Sequence, residues 1–302
     1  MFITETPIQN HNTKIKYKKT IYPQCNCGAK CHSKFYWNAL FIGARGSGKT
    51  YSAVQQIKHH EDHDILDKDG NKVLIRTILI SPTTQQNEIF KSLKSLDDKD
   101  IYEEYSDKIL LDIIDDIKAV KEKANQYKEY NDAYKKYVRL NEDQLHRLSD
   151  TELRILESHD YNPPSIAFPD LKYKFPPVNI VILDDLLGSD IFSRKSKSIF
   201  QNALIKSRHL NIAFQILVQS MKAVPKPVRL NCSIFWLGKF SAMNTILTDI
   251  ADEVSGVVSK DELEMLYKYA IDKEHGALVI DTTKPKNCWF SANWDTMLQI
   301  SE

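Results

Sequence analysis

The glycine-rich octapeptide GARGSGKT constrains the fold of this chain more than any other segment. It occupies residues 43–50, follows the apolar and aromatic run at residues 35–42, and leads into a helix-compatible stretch. A strand, a loop with this glycine spacing and a helix together form the Walker A pattern. Such a loop turns successive backbone N–H groups towards phosphate oxygens, and the helix N-terminus favours an anion. The segment therefore predicts a binding loop for the phosphates of a nucleotide.

The side chains of this loop have separate predicted roles. The glycines allow the backbone angles that point the N–H groups inward. Lys49 is expected to reach the β- and γ-phosphates, and the Thr50 hydroxyl to bind Mg²⁺, so the implied cofactors are ATP and Mg²⁺. The predicted nucleotide-binding residues are Gly43, Ala44, Arg45, Gly46, Ser47, Gly48, Lys49 and Thr50.

Two further apolar runs end in polar residues. Residues 178–183 (VNIVIL) lead into Asp184 and Asp185, and residues 213–218 (AFQILV) lead into Gln219. Buried parallel strands deliver such residues at one edge of a sheet, beside the phosphate loop. We expect Asp184 to hold the metal, Asp185 to orient or deprotonate the attacking water, and Gln219 to contact both the γ-phosphate and that water. A second acid is typical of a hydrolase, because a metabolic kinase needs only the carboxylate on the metal side.

Two arginines are candidates for the guanidinium that stabilises the developing charge, often from a neighbouring subunit. Arg208 follows a predicted helix at residues 195–207, just before the strand that ends at Gln219. Arg229 follows the proline-marked loop VPKPVRLN. The sequence favours Arg229 over Arg208, and a contact with DNA phosphate is the alternative for either.

The net charge of +1 hides an uneven distribution. No acidic residue occurs from residue 191 to residue 248, whereas nine basic residues do: Arg194, Lys195, Lys197, Lys206, Arg208, Lys222, Lys226, Arg229 and Lys239. A run of this kind beside catalytic motifs indicates a polyanionic partner such as nucleic acid. The alternative is a solvated basic surface.

Four segments together carry a resemblance to a known family: GARGSGKT, VILDDLLG, KSRHLNIAFQILVQS and VPKPVRLNCS. They resemble the genome-packaging ATPases of poxviruses, other large DNA viruses and virophages, within the FtsK–HerA superfamily of DNA pumps. The distinctive parts are the Arg-His before the third strand, the Gln-Ser after it and the Arg-x-Asn that follows. The resemblance covers roughly residues 35–237. Asp185 departs from the pattern, because many FtsK–HerA proteins carry glutamate there.

This resemblance implies an ATP-driven translocase of double-stranded DNA that packages a viral genome. It implies a homo-oligomeric ring of five or six subunits, with a capsid or portal-vertex protein as a further partner. The expected location is the viral assembly site in the host cytoplasm, or the virion itself. Other functions stay open: another P-loop DNA-dependent ATPase or helicase, a small-molecule P-loop kinase, or a non-catalytic assembly protein.

The rest of the chain predicts an α/β three-layer sandwich with a central, mainly parallel sheet. Residues 76–80 predict a further strand, and residues 233–237 another. Residues 1–34 form a basic arm with six lysines and one glutamate, and residues 35–302 the ATPase domain. A helical insertion is expected at about residues 97–160, where apolar residues recur every three or four positions. Helices at 243–254 and 260–269, and a hairpin of 277–281 with 287–290, complete the prediction.

Cysteine usage and hydropathy bound the remaining possibilities. Thiolate and imidazole side chains bind zinc, and a cluster of them occurs at Cys25, Cys27, Cys31 and His32. However, the Cys-x-Cys spacing is unusual and has no second half, so ordinary thiols are favoured over zinc. Five cysteines are too few for a secreted disulfide framework, which predicts a reducing compartment. No stretch has the length and apolar character of a membrane span, and residues 1–10 lack the apolar core of a signal peptide.

Overall fold

A large sheet forms the centre of the molecule. The computed structural model describes residues 22–26, 33–83, 88–186, 190–192, 198–240, 247–248, 250–251, 254 and 256–300. The strands are β1 Gln24–Cys25, β2 Asn38–Ile42, β3 Ile65–Leu66, β4 Lys72–Val73, β5 Ile75–Ile80, β6 Leu96–Tyr102, β7 Val178–Asp184, β8 Ile212–Val218, β9 Ile234–Leu237, β10 Leu278–Asp281, β11 Phe290–Ala292 and β12 Thr296–Met297. The helices are α1 Lys49–Asp62, α2 Asp107–Tyr137, α3 Asp150–Glu157, α4 Pro164–Ala167, α5 Ile199–Ile205, α6 Ser207–Leu210, α7 Lys226–Leu230 and α8 Lys260–Ala270. Short 3₁₀ helices lie at Glu88–Ser92, Glu142–Arg147, Asp190–Phe192, Met221–Ala223 and Lys286–Cys288.

Within the described residues, nine strands form one sheet in the order β12-β11-β10-β9-β2-β8-β7-β5-β6. The strands from β9 to β6 in this order run parallel, whereas β10, β11 and β12 extend the sheet in antiparallel fashion. This arrangement confirms the predicted α/β fold with a mainly parallel central sheet. A second, small antiparallel sheet contains β1, β3 and β4.

Alternate residues of the central strands face two different apolar cores. On β2, Leu40 and Ile42 pack in the core that α2, α5 and α8 cover, whereas Ala39 and Phe41 pack in the core that α1 covers. Every residue of β2, β5, β7 and β8 is buried, because helices cover both faces of these parallel strands. The predicted three layers follow from this burial.

The predicted helical insertion begins later than expected. Residues 97–102 belong to β6, which pairs in parallel with β5 at the edge of the sheet, so the prediction of helix at residue 97 is wrong. The polar sequence LDDKDIY does not predict a strand. Its aspartate Asp100 can be buried because Arg76, on another strand, neutralises its charge. The helix α2 begins at Asp107, where the Ser106 hydroxyl accepts a hydrogen bond from the Ile109 backbone N–H at 3.1 Å.

The two halves of α2 pack in different places. Leu110, Ile113 and Ile117 in its first half join the core on the sheet. Tyr130 and Ala133 in its second half join a separate small core with α3, rich in aromatic residues. The apolar periodicity therefore predicted the helix correctly, and the change of packing partner along the helix was not visible in it.

Several predicted segments lie partly outside the described residues. Of the basic arm, residues 22–26 and 33–34 are described, and β1 pairs there with β3. The start of the predicted helix at 195–207 also lies outside, as do residues 243–246, 249, 252 and 253 of the one at 243–254, whereas residues 247–248, 250–251 and 254 are helical. In the part of the chain that the structure describes, no helix has both the length and the apolar composition to cross a bilayer.

A buried ion cluster joins α2 to the edge of the sheet. The Arg76 guanidinium donates to both carboxylate oxygens of Asp100, at 3.0 Å and 2.5 Å, and pairs with Asp116 of α2 at 2.5 Å. The side chains of Arg76 and Asp100 are 5% and 2% exposed, whereas that of Asp116 is 54% exposed. Since a buried charge without its partner is costly, the cluster fixes β6 and α2 against β5.

We expect the substitution Asp100→Asn to lower the free energy of unfolding by about 3 kcal/mol, because it leaves the Arg76 charge buried with only the half-exposed Asp116. Urea denaturation measures this loss. The matched control is Asp115→Asn, which removes an exposed ion pair of α2 with Lys118 and should change stability by less than about 1 kcal/mol. Equal effects of the two substitutions would show that the buried cluster contributes no more than a surface pair.

Candidate nucleotide-binding site

The glycine-rich loop connects β2 to α1 and forms a narrow turn. Gly46 and Gly48 have φ angles of 77° and 89°, in the left-handed region that favours glycine. A Cβ at Gly43 would lie 2.4 Å from the Ser47 Oγ, so a larger residue at this position would displace the Ser47 hydroxyl. The loop is fixed to the neighbouring strands, since the Gly43 N–H donates to the Val218 carbonyl at 3.3 Å and the Ala44 N–H to the Lys239 carbonyl at 2.9 Å.

The loop ends at the N-terminus of α1, whose N-cap is Gly48. The first N–H groups of a helix have no partner within the helix, and together with the helix dipole they favour an anion. No acidic residue occurs in the first turn of α1, so no side-chain carboxylate competes there. Ala44, Arg45 and Gly46 are exposed, whereas residues 47–50 are half-buried at the base of the loop.

Lys49 folds back over the loop. Its ammonium group donates to the carbonyl oxygens of Gly43 at 2.7 Å and Ala44 at 2.9 Å. Burial lowers the pKa of Lys49, and the negative charges of Asp184 and Asp185 act in the opposite direction. The lysine therefore lies between the loop and the two acids, where a positive charge can neutralise phosphate oxygens.

The two acids at the end of β7 have different surroundings. Asp184 is 6% exposed, and burial together with the charge of Asp185 raises its pKa to about 6, against the opposing effect of Lys49. Asp185 is exposed and has a φ angle of 53°, a conformation that aspartate tolerates better than most residues. A buried carboxylate with a raised pKa is suited to a divalent cation, and its oxygens and the Thr50 hydroxyl are the ligands that Mg²⁺ prefers. These residues therefore fit the predicted metal.

The strand β8 lies between the strand of the loop and the strand of the acids. Its register pairs Val218 with Ile42 of β2 and Leu217 with Asp184 of β7, so the three strands end at the same level. Gln219 follows β8, and its Nε2 donates to the Asp185 Oδ1 at 3.2 Å. Asp185 and Gln219 belong to separate sequence motifs, and the structure brings them into contact.

The two candidate arginines lie at the opposite edge of the sheet, which is the one formed by the amino ends of the parallel strands. Arg208 is in α6, which precedes β8, and Arg229 is in α7, which precedes β9, whereas the loop and the acids follow parallel strands. The seven residues of β8 span about 20 Å between these edges. The Arg208 guanidinium instead lies 5.9 Å from the centroid of the Tyr22 ring. Neither arginine therefore contacts the site of its own chain, and a role in a neighbouring subunit stays a prediction.

The basic run at residues 191–248 does not form one continuous surface. Arg194, Lys195 and Lys197 lie outside the described residues. Lys239 lies beside the phosphate loop, whereas four other basic residues lie at the opposite edge of the sheet with or beside the helices that precede β8 and β9: Lys206, Arg208, Lys226 and Arg229. The reason is that this run contains two parallel strands, each of which crosses the sheet from edge to edge.

The predicted cysteine cluster is described only in part. Cys25 lies on β1 and is buried. Cys27, Cys31 and His32 lie outside the described residues, so the zinc hypothesis stays untested. Among the residues that are described, no group of three or more histidine, cysteine, aspartate or glutamate side chains could hold a metal ion.

Two residues that the sequence motifs did not predict lie beside the start of α1. Trp294, in the turn between β11 and β12, donates from its indole N–H to the Ser52 carbonyl at 3.0 Å and the Ser52 Oγ at 2.8 Å. His275, in the turn before β10, lies against Gly48. No local motif marks either residue, although the glycine after His275 and the strand that follows indicate a tight turn at a sheet edge.

The sheet order, the phosphate loop and the acids at the end of β7 define a P-loop nucleotide-binding fold. No protein-family profile matches the chain, and no protein of curated function matches its sequence. Solved structures do resemble it. The genome packaging NTPase B204 from Sulfolobus turreted icosahedral virus 2, solved with ATP-gammaS, is 12% identical with a TM-score of 0.41, over 82% of this chain and 92% of that one.

Two further ATPase structures are similar to a comparable degree. EssC (ATPases 2 and 3) from Geobacillus thermodenitrificans is 14% identical with a TM-score of 0.42, over 82% of this chain and 38% of that one. The cytoplasmic domain of the type VII secretion ATPase EccC from Thermomonospora curvata is 11% identical with a TM-score of 0.40, over 88% of this chain and 24% of that one. We therefore base the chemistry of the site on its own geometry.

We expect Asp184→Asn to stabilise the nucleotide-free protein at pH 8 by about 1–3 kcal/mol. The pKa of Asp184 is about 6 in the folded protein against 3.8 ordinarily, so the folded state holds this proton more tightly. Wild-type stability therefore falls as the pH rises from about 4 to about 6, and the substitution removes this loss.

Urea denaturation at several pH values measures this effect. The difference between Asp184→Asn and wild type should shrink towards zero as the pH falls below about 4. The exposed substitution Asp170→Asn is the control for the loss of a carboxylate that is not buried. A difference for Asp184→Asn that stays constant from pH 4 to pH 8 would contradict the raised pKa.

Proposed function

We propose that this protein hydrolyses ATP to move double-stranded DNA, as the motor that packages a viral genome. The observation that carries the hydrolytic part is the contact between Gln219 and Asp185, at the level of the phosphate loop. The DNA-packaging part rests on the sequence segments that resemble genome-packaging ATPases.

The loop residues bind the triphosphate in this proposal. The backbone N–H groups of residues 43–50 and the N-terminus of α1 hold the phosphate oxygens. The Lys49 ammonium group leaves the loop carbonyl oxygens that it contacts and binds the β- and γ-phosphates instead. Thr50 and Asp184 would hold Mg²⁺, which supplies neutralisation of the charge on the β- and γ-phosphate oxygens.

Asp185 and Gln219 act on water. The Gln219 side-chain N–H donates to Asp185. The side-chain carbonyl oxygen of Gln219 then stays available to accept a hydrogen bond from the attacking water. Water attacks the γ-phosphorus, Asp185 accepts the proton, and the bond to the bridging oxygen breaks to release ADP and phosphate. The pair favours a hydrolase over a small-molecule kinase, because a metabolic kinase needs only the carboxylate on the metal side.

We further propose a ring of five or six identical subunits, because the candidate arginines lie at the amino ends of the parallel strands and the site lies at their carboxyl ends. An arginine from one subunit would then reach the nucleotide of its neighbour. A capsid or portal-vertex protein is the expected partner at the viral assembly site in the host cytoplasm. The second candidate function is a DNA-dependent helicase, which the same hydrolytic geometry would serve.

ATP turnover with and without double-stranded DNA, together with the particle mass in solution, tests this proposal. We expect turnover to rise with DNA and the mass to correspond to five or six chains. Lys49→Ala should lower turnover by about 10² or more, because it removes a charge from the phosphates with little packing. Wild-type turnover in this variant would exclude the assigned nucleotide site, and strand separation would favour the helicase.

The variant Asp185→Asn separates binding from chemistry in the same assay. It should bind Mg²⁺ and ATP as wild type does, because Asp184 remains, while hydrolysis is lost. Asparagine also tolerates the backbone conformation of Asp185. If nucleotide affinity falls as well, the roles of the two acids are assigned wrongly.

The substitution Arg229→Ala should lower turnover by about 10³ or more if this residue acts in a neighbouring subunit. Mixing Arg229→Ala with Lys49→Ala subunits should restore part of the activity, since an intact loop then faces an intact arginine. The same mixture with Arg208→Ala is the matched comparison. Lack of recovery in rings shown to exchange subunits would exclude Arg229 as the residue that acts across the interface.

A further inference from the structure

His275 lies beside the phosphate loop although no sequence motif includes it. It is in the turn between α8 and β10, and β10 runs antiparallel to β9, so this turn is at the same edge of the sheet as the loop. A Cβ at Gly48 would lie 3.5 Å from the His275 Cβ and 3.7 Å from its Nδ1. The imidazole therefore lies against the N-cap of α1, at the side of the phosphate loop.

The backbone fixes this placement. His275 has a φ angle of 55°, which is uncommon for residues other than glycine, and such conformations are often found at ligand-binding sites. At the next position, a Cβ on Gly276 would lie 2.3 Å from the Ala270 carbonyl oxygen. The Gly276 N–H also donates to the Lys273 carbonyl at 3.0 Å. The turn is thus pressed against the end of α8 and holds the histidine in one place.

A second connection ties this turn to α1. The Asn293 N–H donates to the Ala277 carbonyl at 2.8 Å, and the neighbouring Trp294 indole donates to Ser52 in α1. The turn that carries His275 and the first turns of α1 are therefore joined through residues 293–294. His275 is held at a set distance from the phosphate loop, as a ligand-positioning residue requires.

The sheet order gives the direction of a bound triphosphate. Asp185 and Gln219 follow β7 and β8 on one side of the loop strand β2, whereas His275 precedes β10 on the other side. The γ-phosphate must lie on the side of Asp185 and Gln219, because these residues act on the attacking water. The nucleoside end of the bound nucleotide then lies on the side of His275. We propose that His275 binds the nucleoside of the bound nucleotide, with its imidazole against the base.

This assignment rests on the proposed ATP site and adds a residue to it. The His275 side chain is 63% exposed, so it has free ring surface for a ligand, and its Nε2 lies 3.8 Å from the Glu274 carboxylate. Stacking of a base on an aromatic ring is largely independent of the identity of the base. His275 therefore contributes affinity that ATP and ADP share, and little discrimination between bases.

The test uses His275→Asn, because asparagine tolerates a positive φ angle and lacks the ring. We expect a loss of about tenfold in ADP affinity, measured by calorimetry, and an equal rise in the KM for ATP with kcat retained. The affinity for inorganic tripolyphosphate, which has no nucleoside, should be unchanged. The control is Lys273→Ala in the same turn, which should leave all three values within about twofold.

Three results would overturn the assignment: unchanged ADP affinity, a fall in kcat with unchanged KM, or an equal loss of tripolyphosphate affinity, which would make His275 a phosphate ligand. Thermal unfolding of His275→Asn at the wild-type temperature excludes a folding defect as the cause. Loss of binding in Lys49→Ala with unchanged binding in His275→Asn would reject only the role of His275. Absence of nucleotide binding by the wild-type protein would reject the proposed function itself.

Discussion

The pairing of β8 between β2 and β7 is the constraint on which the rest of the site depends. Its register sets Val218 level with Ile42 and Leu217 level with Asp184, so the loop, the acids and Gln219 emerge at one height. A slip of one residue would turn the side chains of the strand to the opposite faces of the sheet. Because every residue of β8 is buried between two cores, such a slip is strongly opposed. Packing of the sheet thus determines the geometry of the candidate site.

The same packing places charge where water would normally solvate it. Asp184 lies at the end of a fully buried strand, and burial raises its pKa to about 6. Lys49 experiences the converse effect, since burial lowers its pKa. Both shifts disfavour the charged forms that the proposed chemistry needs, and a bound cation and polyphosphate would relieve both. The site is therefore less stable than a neutral core would be, and this instability favours ligand binding.

The sequence was informative wherever a signal is local. The phosphate loop, the acids and Gln219 each follow a short apolar strand, and the fold class follows from the same alternation of strands and helices. The strand β6 was missed because the burial of Asp100 depends on Arg76, which lies on another strand. His275 was missed because its position is set by a turn that only the assembled sheet brings to the loop. Contacts between distant segments, rather than local propensity, account for these failures.

The polarity of the parallel sheet also limits how copies of the chain can cooperate. The phosphate loop, Asp185 and Gln219 lie at the carboxyl ends of the parallel strands, and Arg208 and Arg229 lie at the amino ends. A two-fold symmetric dimer joins identical surfaces, so an interface at the arginine edge would pair that edge with itself. A head-to-tail contact joins two different surfaces and so brings an arginine of one copy to the loop of the next. Repetition of such a contact gives a closed ring or an open filament. If Arg229 acts in trans through such a contact, each site is completed by the neighbouring copy, and one copy alone lacks a complete site.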